Sequence, residues 1–101
     1  MGNRLELDAL LESILGTENV YGQAPESTKM EYPAIKYKLS NFNVRFANNT
    51  PYNTRSRYTV TLIDYDLDSP YVDKIRALPY CSMDTYYTAD GLHHWAFTLY
   101  Y

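Results

Sequence analysis

The residues from Pro33 to Tyr65, PAIKYKLSNFNVRFANNTPYNTRSRYTVTLIDY, decide the fold. Ile35, Tyr37 and Leu39 alternate with Lys36, Lys38 and Ser40; further on, Tyr58, Val60 and Leu62 alternate with Thr59, Thr61, Ile63 and Tyr65. Period-two alternation rich in aromatic and β-branched residues marks strands whose successive side chains face opposite sides of a sheet. Between the two runs, Ala47 to Thr54 is an Asn/Thr/Pro cluster that cannot carry a ladder. The stretch therefore predicts a long β-hairpin with an exposed loop. Its apolar phase shifts from odd positions up to Leu39 to even positions at Phe42, Val44 and Phe46. A change of parity moves side chains to the other face, so a bulge or bend is expected near Ser40-Asn41. Beyond it the tip is expected to leave the core, making Phe42 and Phe46 candidates for contact with another subunit. The alternative is that they fold back over the sheet.

On the N-terminal side, residues 3 to 15 predict an amphipathic helix with Leu7, Leu10, Leu11 and Ile14 as its apolar stripe and Gly16 as its left-handed stop. Acidic Glu6 and Asp8 suit the positive end of its dipole. Asn19-Val20-Tyr21 is a short candidate strand, residues 22 to 31 are loop, and Pro33 is expected to begin the first long strand. On the C-terminal side, Ser69 as N-cap and Pro70 at the first helical position open a second helix, with Tyr71, Ile75 and Leu78 inward and Pro79 as its end. Tyr80 to Tyr87 and Leu92 to Tyr100 predict two more strands joined at Asp90-Gly91, a hairpin signal, with Trp95, Phe97 and Leu99 facing the core. The expected fold is α+β in the order α-β-β-β-α-β-β: a single mostly antiparallel sheet with a long β-hairpin and both helices packed on one face.

One hundred and one residues hold one core, so residues 1–101 are expected to be a single domain. At 46% hydrophobic and 21% charged, the composition is that of a globular chain. Twelve tyrosines are the outlier. An apolar body with a polar tip suits both solvated sheet faces and protein interfaces, and either use accounts for them. Cys81 is the sole cysteine, which excludes an internal disulfide and suits a reducing compartment. The first residues carry no apolar leader, and no run approaches the ~20 apolar residues of a membrane span, so neither export nor membrane insertion is expected.

Charge is unevenly spread. Lys36, Lys38, Arg45, Arg55 and Arg57 lie in the hairpin, and no Asp or Glu stands between Glu31 and Asp64. All 12 acids lie outside that span with only Arg4, Lys29, Lys74 and Arg76 for company. A basic tongue on an acidic remainder favours head-to-tail self-association, which forms a ring when the rotation closes. The plainer reading is that the lysines guard a strand edge against aggregation. Specific nucleic-acid recognition is disfavoured, because the whole chain is acidic, with a pI near 5.2.

Catalytic chemistry is hard to find. Asp64, Asp66 and Asp68 alternate like a calcium loop, but Ser69 stands at the glycine position and Ile75 at the bidentate glutamate position. These acids are expected instead to solvate the strand-to-helix turn and favour the next helix N-terminus. His93 and His94, as strand neighbours, point to opposite faces and cannot share one metal. Cys81 could approach a histidine across the last hairpin, yet the pair lacks an orienting third group, and a packed free thiol is the better expectation. Neither a Gly-rich phosphate loop nor a hydrolase or zinc-protease motif is present. The expectation is a non-enzyme without cofactor or metal.

The leading helix, Val20-Tyr21, Ala24-Pro25 and Tyr32-Pro33-Ala34-Ile35-Lys36-Tyr37 ahead of a long basic hairpin resemble the tail terminator and tail-completion (head–tail joining) proteins of long-tailed bacteriophages. Ser69 to Tyr100 fits the same order of elements, so the resemblance spans nearly the whole chain and is mainly one of layout. It implies a small α+β subunit of a hexameric ring that ends tail-tube polymerisation at the head-proximal end and docks the head–tail connector. The implied partners are the chain itself, the tail-tube protein and the connector or neck protein, and the implied place is the virion tail or neck, assembled in the host bacterial cytoplasm. On that layout Lys36, Lys38, Arg45, Arg55 and Arg57 would make lateral ring contacts. The loop containing Asn48, Asn49, Tyr52 and Asn53 would make axial ones. Another neck, head-closure or minor tail subunit, or a stand-alone peptide-binding module, remains an alternative.

Overall fold

The computed structural model of the chain describes residues 4–22, 29–45 and 54–101, with side chains described outside 41–45, 54 and 55. Its elements follow the expected order: α1 (Arg4–Leu15), β1 (Val20–Gly22), β2 (Ala34–Arg45), β3 (Thr54–Asp64), α2 (Tyr71–Arg76), β4 (Cys81–Ala89) and β5 (Leu92–Tyr100). Among the described residues one five-stranded sheet forms, in the spatial order β1-β2-β3-β5-β4. β1 runs parallel to β2, pairing Val20 with Ile35, and the other neighbours are antiparallel.

Register shows how alternation becomes a core. Ile35, Leu62 and Trp95 stand in one row across the sheet; Tyr37, Val60 and Phe97 form the next; Leu39, Tyr58 and Leu99 the third. Leu7, Leu11 and Leu15 of α1 and Ile75 of α2 join these side chains in one buried cluster, so both helices cover the same face. The opposite face carries Lys36, Lys38, Arg57, Thr59, Thr61, Ala96 and Thr98, and no helix of the described residues lies over it. The long hairpin, its change of phase and the inward set Trp95, Phe97, Leu99 are as expected. Register shifts fall between Leu39 and Asn41 and between Asn41 and Val44, where parity changes in the sequence. Asp90 and Gly91 both take positive φ, 54° and 76°, as a two-residue hairpin turn requires. Gly16, at φ 77°, ends α1, its N–H bonding the Glu12 carbonyl at 2.8 Å.

Four local expectations need correction. The buried stripe of α1 is Leu7, Leu11 and Leu15, while Leu10 and Ile14 are only half-buried. A single i, i+4 row meets the sheet, and the flanking row faces its margin. The first long strand begins at Ala34, after a cis Tyr32–Pro33 peptide, rather than at Pro33. Pro70 is the residue before α2, with αR dihedrals, so the helix starts one position later than Ser69 and Pro70 predict. Ser69 then makes no cap bond, and its buried hydroxyl has no partner among the described residues. Finally, α2 ends at Arg76 and Tyr80 takes a positive φ of 57°, so β4 begins at Cys81.

The tyrosines divide as their two-sided chemistry allows. Tyr37 and Tyr58 are buried and meet edge to face at 6.1 Å, whereas Tyr65, Tyr80, Tyr86 and Tyr87 are exposed. The Tyr37 hydroxyl donates to Asp8 Oδ2 at 2.7 Å, tying α1 to β2, and accepts from Arg4 Nη1 at 3.4 Å. Burial and the Asp8 bond push this phenol up to about 12, with Arg4 opposing. Gly22 is what allows the ring to lie there, since a Cβ at that position would stand 2.5 Å from the Tyr37 ring tip.

Asp8 and Glu12, one turn apart on α1, have a pH consequence. Hydrogen bonding to Asp8, then burial, then the charges of Asp8 and Glu18, raise the Glu12 carboxyl above its ordinary 4.5. A raised carboxyl favours the protonated form in the fold. Its contribution is therefore present below 4.5 and is lost as pH climbs through the folded value. Glu12→Gln should melt at higher temperature than the parent at neutral pH, with the gap narrowing on acidification below that range. Thermal melts at the two pH values check this.

Candidate functional site

The feature that sets this sheet apart is a ribbon that outruns it. β3 pairs with β5 from Arg57 to Asp64, and Ser56 exchanges two backbone bonds with Tyr101, at 3.1 and 2.9 Å. Among the described residues β1 lies along Ile35 to Tyr37 of the outer edge of β2. Farther out β2 and β3 pair Val44 with Arg55 and Arg45 with Thr54. An isolated two-stranded ribbon is marginal in water, and two irregularities within it add twist.

Charge is distributed along the same axis. Lys36 and Lys38 are exposed on the helix-free face and Arg57 is half-buried there. Arg45 and Arg55 stand farther out, in the arm. Among the described residues none of the first three enters an ion pair, whereas Arg76 pairs with Asp73 on the exposed surface of α2 at 3.1 Å. At the other end of the strands lie Asp64, Asp66, Asp68 and Asp90, with Tyr65 and Leu67 exposed among them. Asp64 accepts the Asp66 N–H at 3.2 Å and Asp66 accepts the Asp68 N–H at 2.9 Å, so these acids hold the turn. From Arg57 to Asp64 is seven strand steps, about 23 Å at 3.3 Å each. A Debye length of about 8 Å at physiological salt is far shorter, so the basic and acidic ends do not neutralise one another within a subunit.

Of the expected interface residues, Lys36, Lys38 and Arg57 share one face. Phe42, Arg45 and Arg55 belong to the strands of the arm, but their side chains lie outside the described set. Phe46, Asn48, Asn49, Tyr52 and Asn53 lie outside the described residues altogether. The open face bears a shallow depression of about 330 Å³ between Lys36, Lys38, Thr59, Thr61, Tyr87 and Ala96.

The last hairpin carries what sequence reading missed. β4 is exposed at every residue from Ser82 to Ala89, an edge position that its reading as one more strand did not specify. His93 and His94 do point to opposite faces: His93 stacks on Tyr86, whose hydroxyl lies 2.5 Å from Nδ1, and His94 stacks on Tyr87 at 4.7 Å between centroids. Cys81 does not approach either. It pairs with Leu99, whereas Tyr87 pairs with His94 six residues on, about 20 Å away at strand rise. The thiol is half-buried and pushed up to about 11 by burial and by Asp84, which leaves little thiolate at neutral pH. No group of three potential metal ligands gathers among the described residues. No helix of the described residues is long and apolar enough to cross a membrane.

Comparison with known proteins gives no relative: no protein-family model, no curated protein and no solved structure matches this chain.

Proposed function

We propose that this chain is a structural subunit that meets copies of itself head to tail and closes into a collar. Following the resemblance of its sequence, the collar is hexameric and caps the tail tube of a long-tailed phage, ending its polymerisation and presenting a face to the head–tail connector. The role is architectural, without catalysis or cofactor, and its place is the neck of the virion. The observation that carries the reading is the basic two-stranded arm projecting past the sheet, about 23 Å of strand from an acidic, tyrosine-bearing end. Opposite charges at opposite ends of one subunit favour a heterologous contact, and such contacts generate rings when the rotation closes.

Electron microscopy of the purified protein mixed with tail tubes tests it, with ring density expected at one end of each tube only. Tubes that remain bare at both ends would rule out the capping role. Counting subunits in rings with and without tube protein distinguishes a terminator from another neck subunit. The free edge of β4 favours one further reading, a stand-alone module that captures an extended peptide. Such a module sediments as a monomer at every concentration.

A further inference from the structure

Two exposed surfaces of this chain are opposite in charge, and each carries apolar groups. The first is the turn that follows β3. Tyr65 and Leu67 are 67% and 58% exposed there and alternate with Asp66 and Asp68, which are also exposed. Asp64 and Asp66 each accept the N–H two residues on, so the turn keeps its shape while its two large hydrophobic side chains stand in water. Tyr65 meets Tyr32 edge to face at 5.8 Å, which holds its ring in place at the surface. Single exposed hydrophobic residues are ordinary; a pair of them on one short turn is a patch that calls for a partner.

The second surface is the helix-free face of the sheet. Lys36, Thr61 and Ala96 form one cross-strand row on it, and Lys38, Thr59 and Thr98 the next. Small residues in the middle of rows bordered by Lys36, Lys38 and the exposed Tyr87 ring leave the depression of about 330 Å³. That volume is at the low end of the ~300–1,000 Å³ of small-molecule sites, and it suits a protruding side chain better than a cofactor. Both lysines are exposed. Asp84 also reaches this face, where it accepts from the Thr98 hydroxyl at 2.5 Å. It lies about three strand spacings from Lys38, roughly 14 Å, so the β2 side of the face stays basic.

Each surface repels its own kind. Turn against turn would bring Asp66 and Asp68 beside their own copies, and face against face would do the same with Lys36 and Lys38. Turn on face joins opposite charges and takes hydrophobic surface out of water on both sides. Within one subunit the turn leads into α2, on the covered side of the sheet, and so runs away from its own depression.

We propose that the Tyr65–Asp68 turn of one copy seats in the depression of the next, with Tyr65 and Leu67 against Ala96 and the Tyr87 ring and with Asp66 and Asp68 beside Lys36 and Lys38. The contact rests on the collar reading and gives that collar its joint. Turn and depression are different surfaces, so every copy offers one of each, which is the condition for a closed ring rather than a dimer.

Lys36→Glu with Lys38→Glu in the full chain tests one side of the joint, and Asp68→Lys tests the other. All three positions are exposed and outside the buried cluster, so circular dichroism should be unchanged. Sedimentation over a concentration series should show the parent growing to a ring and each variant monomeric to at least tenfold higher concentration. Mixing the two variants should restore association, because the native turn of the first meets the native face of the second. A further measurement does not depend on charge. In a Cys81→Ser background, Lys38→Cys and Leu67→Cys chains mixed and oxidised should form a disulfide with each other in preference to either with itself. Folded variants that assemble as the parent does, or a mixture that gives no such disulfide, would overturn this joint and leave the collar standing on another surface. A parent assembly that stops at two copies would overturn head-to-tail contact, and a parent that is monomeric throughout would overturn both proposals.

Discussion

Phe97→Ala should lower the stability of this chain by about 3–5 kcal/mol, the cost of deleting a fully buried ring and leaving a cavity. Phe97 occupies the middle row of the covered face, between Val60 of β3 and Met83 of β4, with Tyr37 one strand farther on. Its neighbours are held by the sheet ladder on both sides and cannot move in to fill the space. Chains of this size have roughly 5–15 kcal/mol of stability in total, so the variant retains little margin. A loss of that size corresponds to a fall in Tm of more than about 12 °C, at roughly 4–8 °C per kcal/mol. Urea titration should show a lower midpoint with an unchanged slope, since the same surface is exposed on unfolding. A variant melting within a few degrees of the parent would mean that the covered face is not the core. Tyr87→Ala, on the exposed strand, serves as the contrast and should change stability little.

Phe97 also shows why the sequence was informative where it was. Alternation is a local signal, and it specifies facing correctly when a strand has a helix on one side and solvent on the other, as β2, β3 and β5 do. The bulge in β2 could be read for the same reason, since a change of parity leaves a mark in the residue order. What alternation does not contain is position within the sheet. β4 reads as a strand like β5, yet it lies at the margin with Tyr86 and Tyr87 exposed, while Trp95 of β5 is inside. The parallel placement of β1 is likewise a long-range choice, and only the close fit of Gly22 to the Tyr37 ring hints at it. Among the expected interface residues, those on regular strand could be assigned a face from parity alone. The acids were legible as a composition, but their collection at one end of the strands depends on the order β3-β5-β4, which brings Asp64 and the Asp90 turn together. The Asp8–Tyr37 bond joins residues 29 apart, so no sequence window would contain it.

Reversing both arm charges, Arg55→Glu with Arg57→Glu, should weaken self-assembly at physiological salt by tenfold or more. Close charge pairs across an interface couple by about 1.5–7 kcal/mol, and pairs near a solvated rim fall at the low end of that range. The effect has to be salt-dependent. Screening shortens from about 8 Å at 0.15 M to about 3 Å at 1 M, so the gap between variant and parent should close as salt is raised. Arg57 lies outside the buried cluster, and thermal melts of variant and parent should coincide. Arm charge governs how often subunits meet in the right orientation, and changing it alters association rate and salt slope. If the doubly reversed variant assembles like the parent even at low salt, the basic arm is an edge guard and electrostatic attraction has no part in joining the subunits.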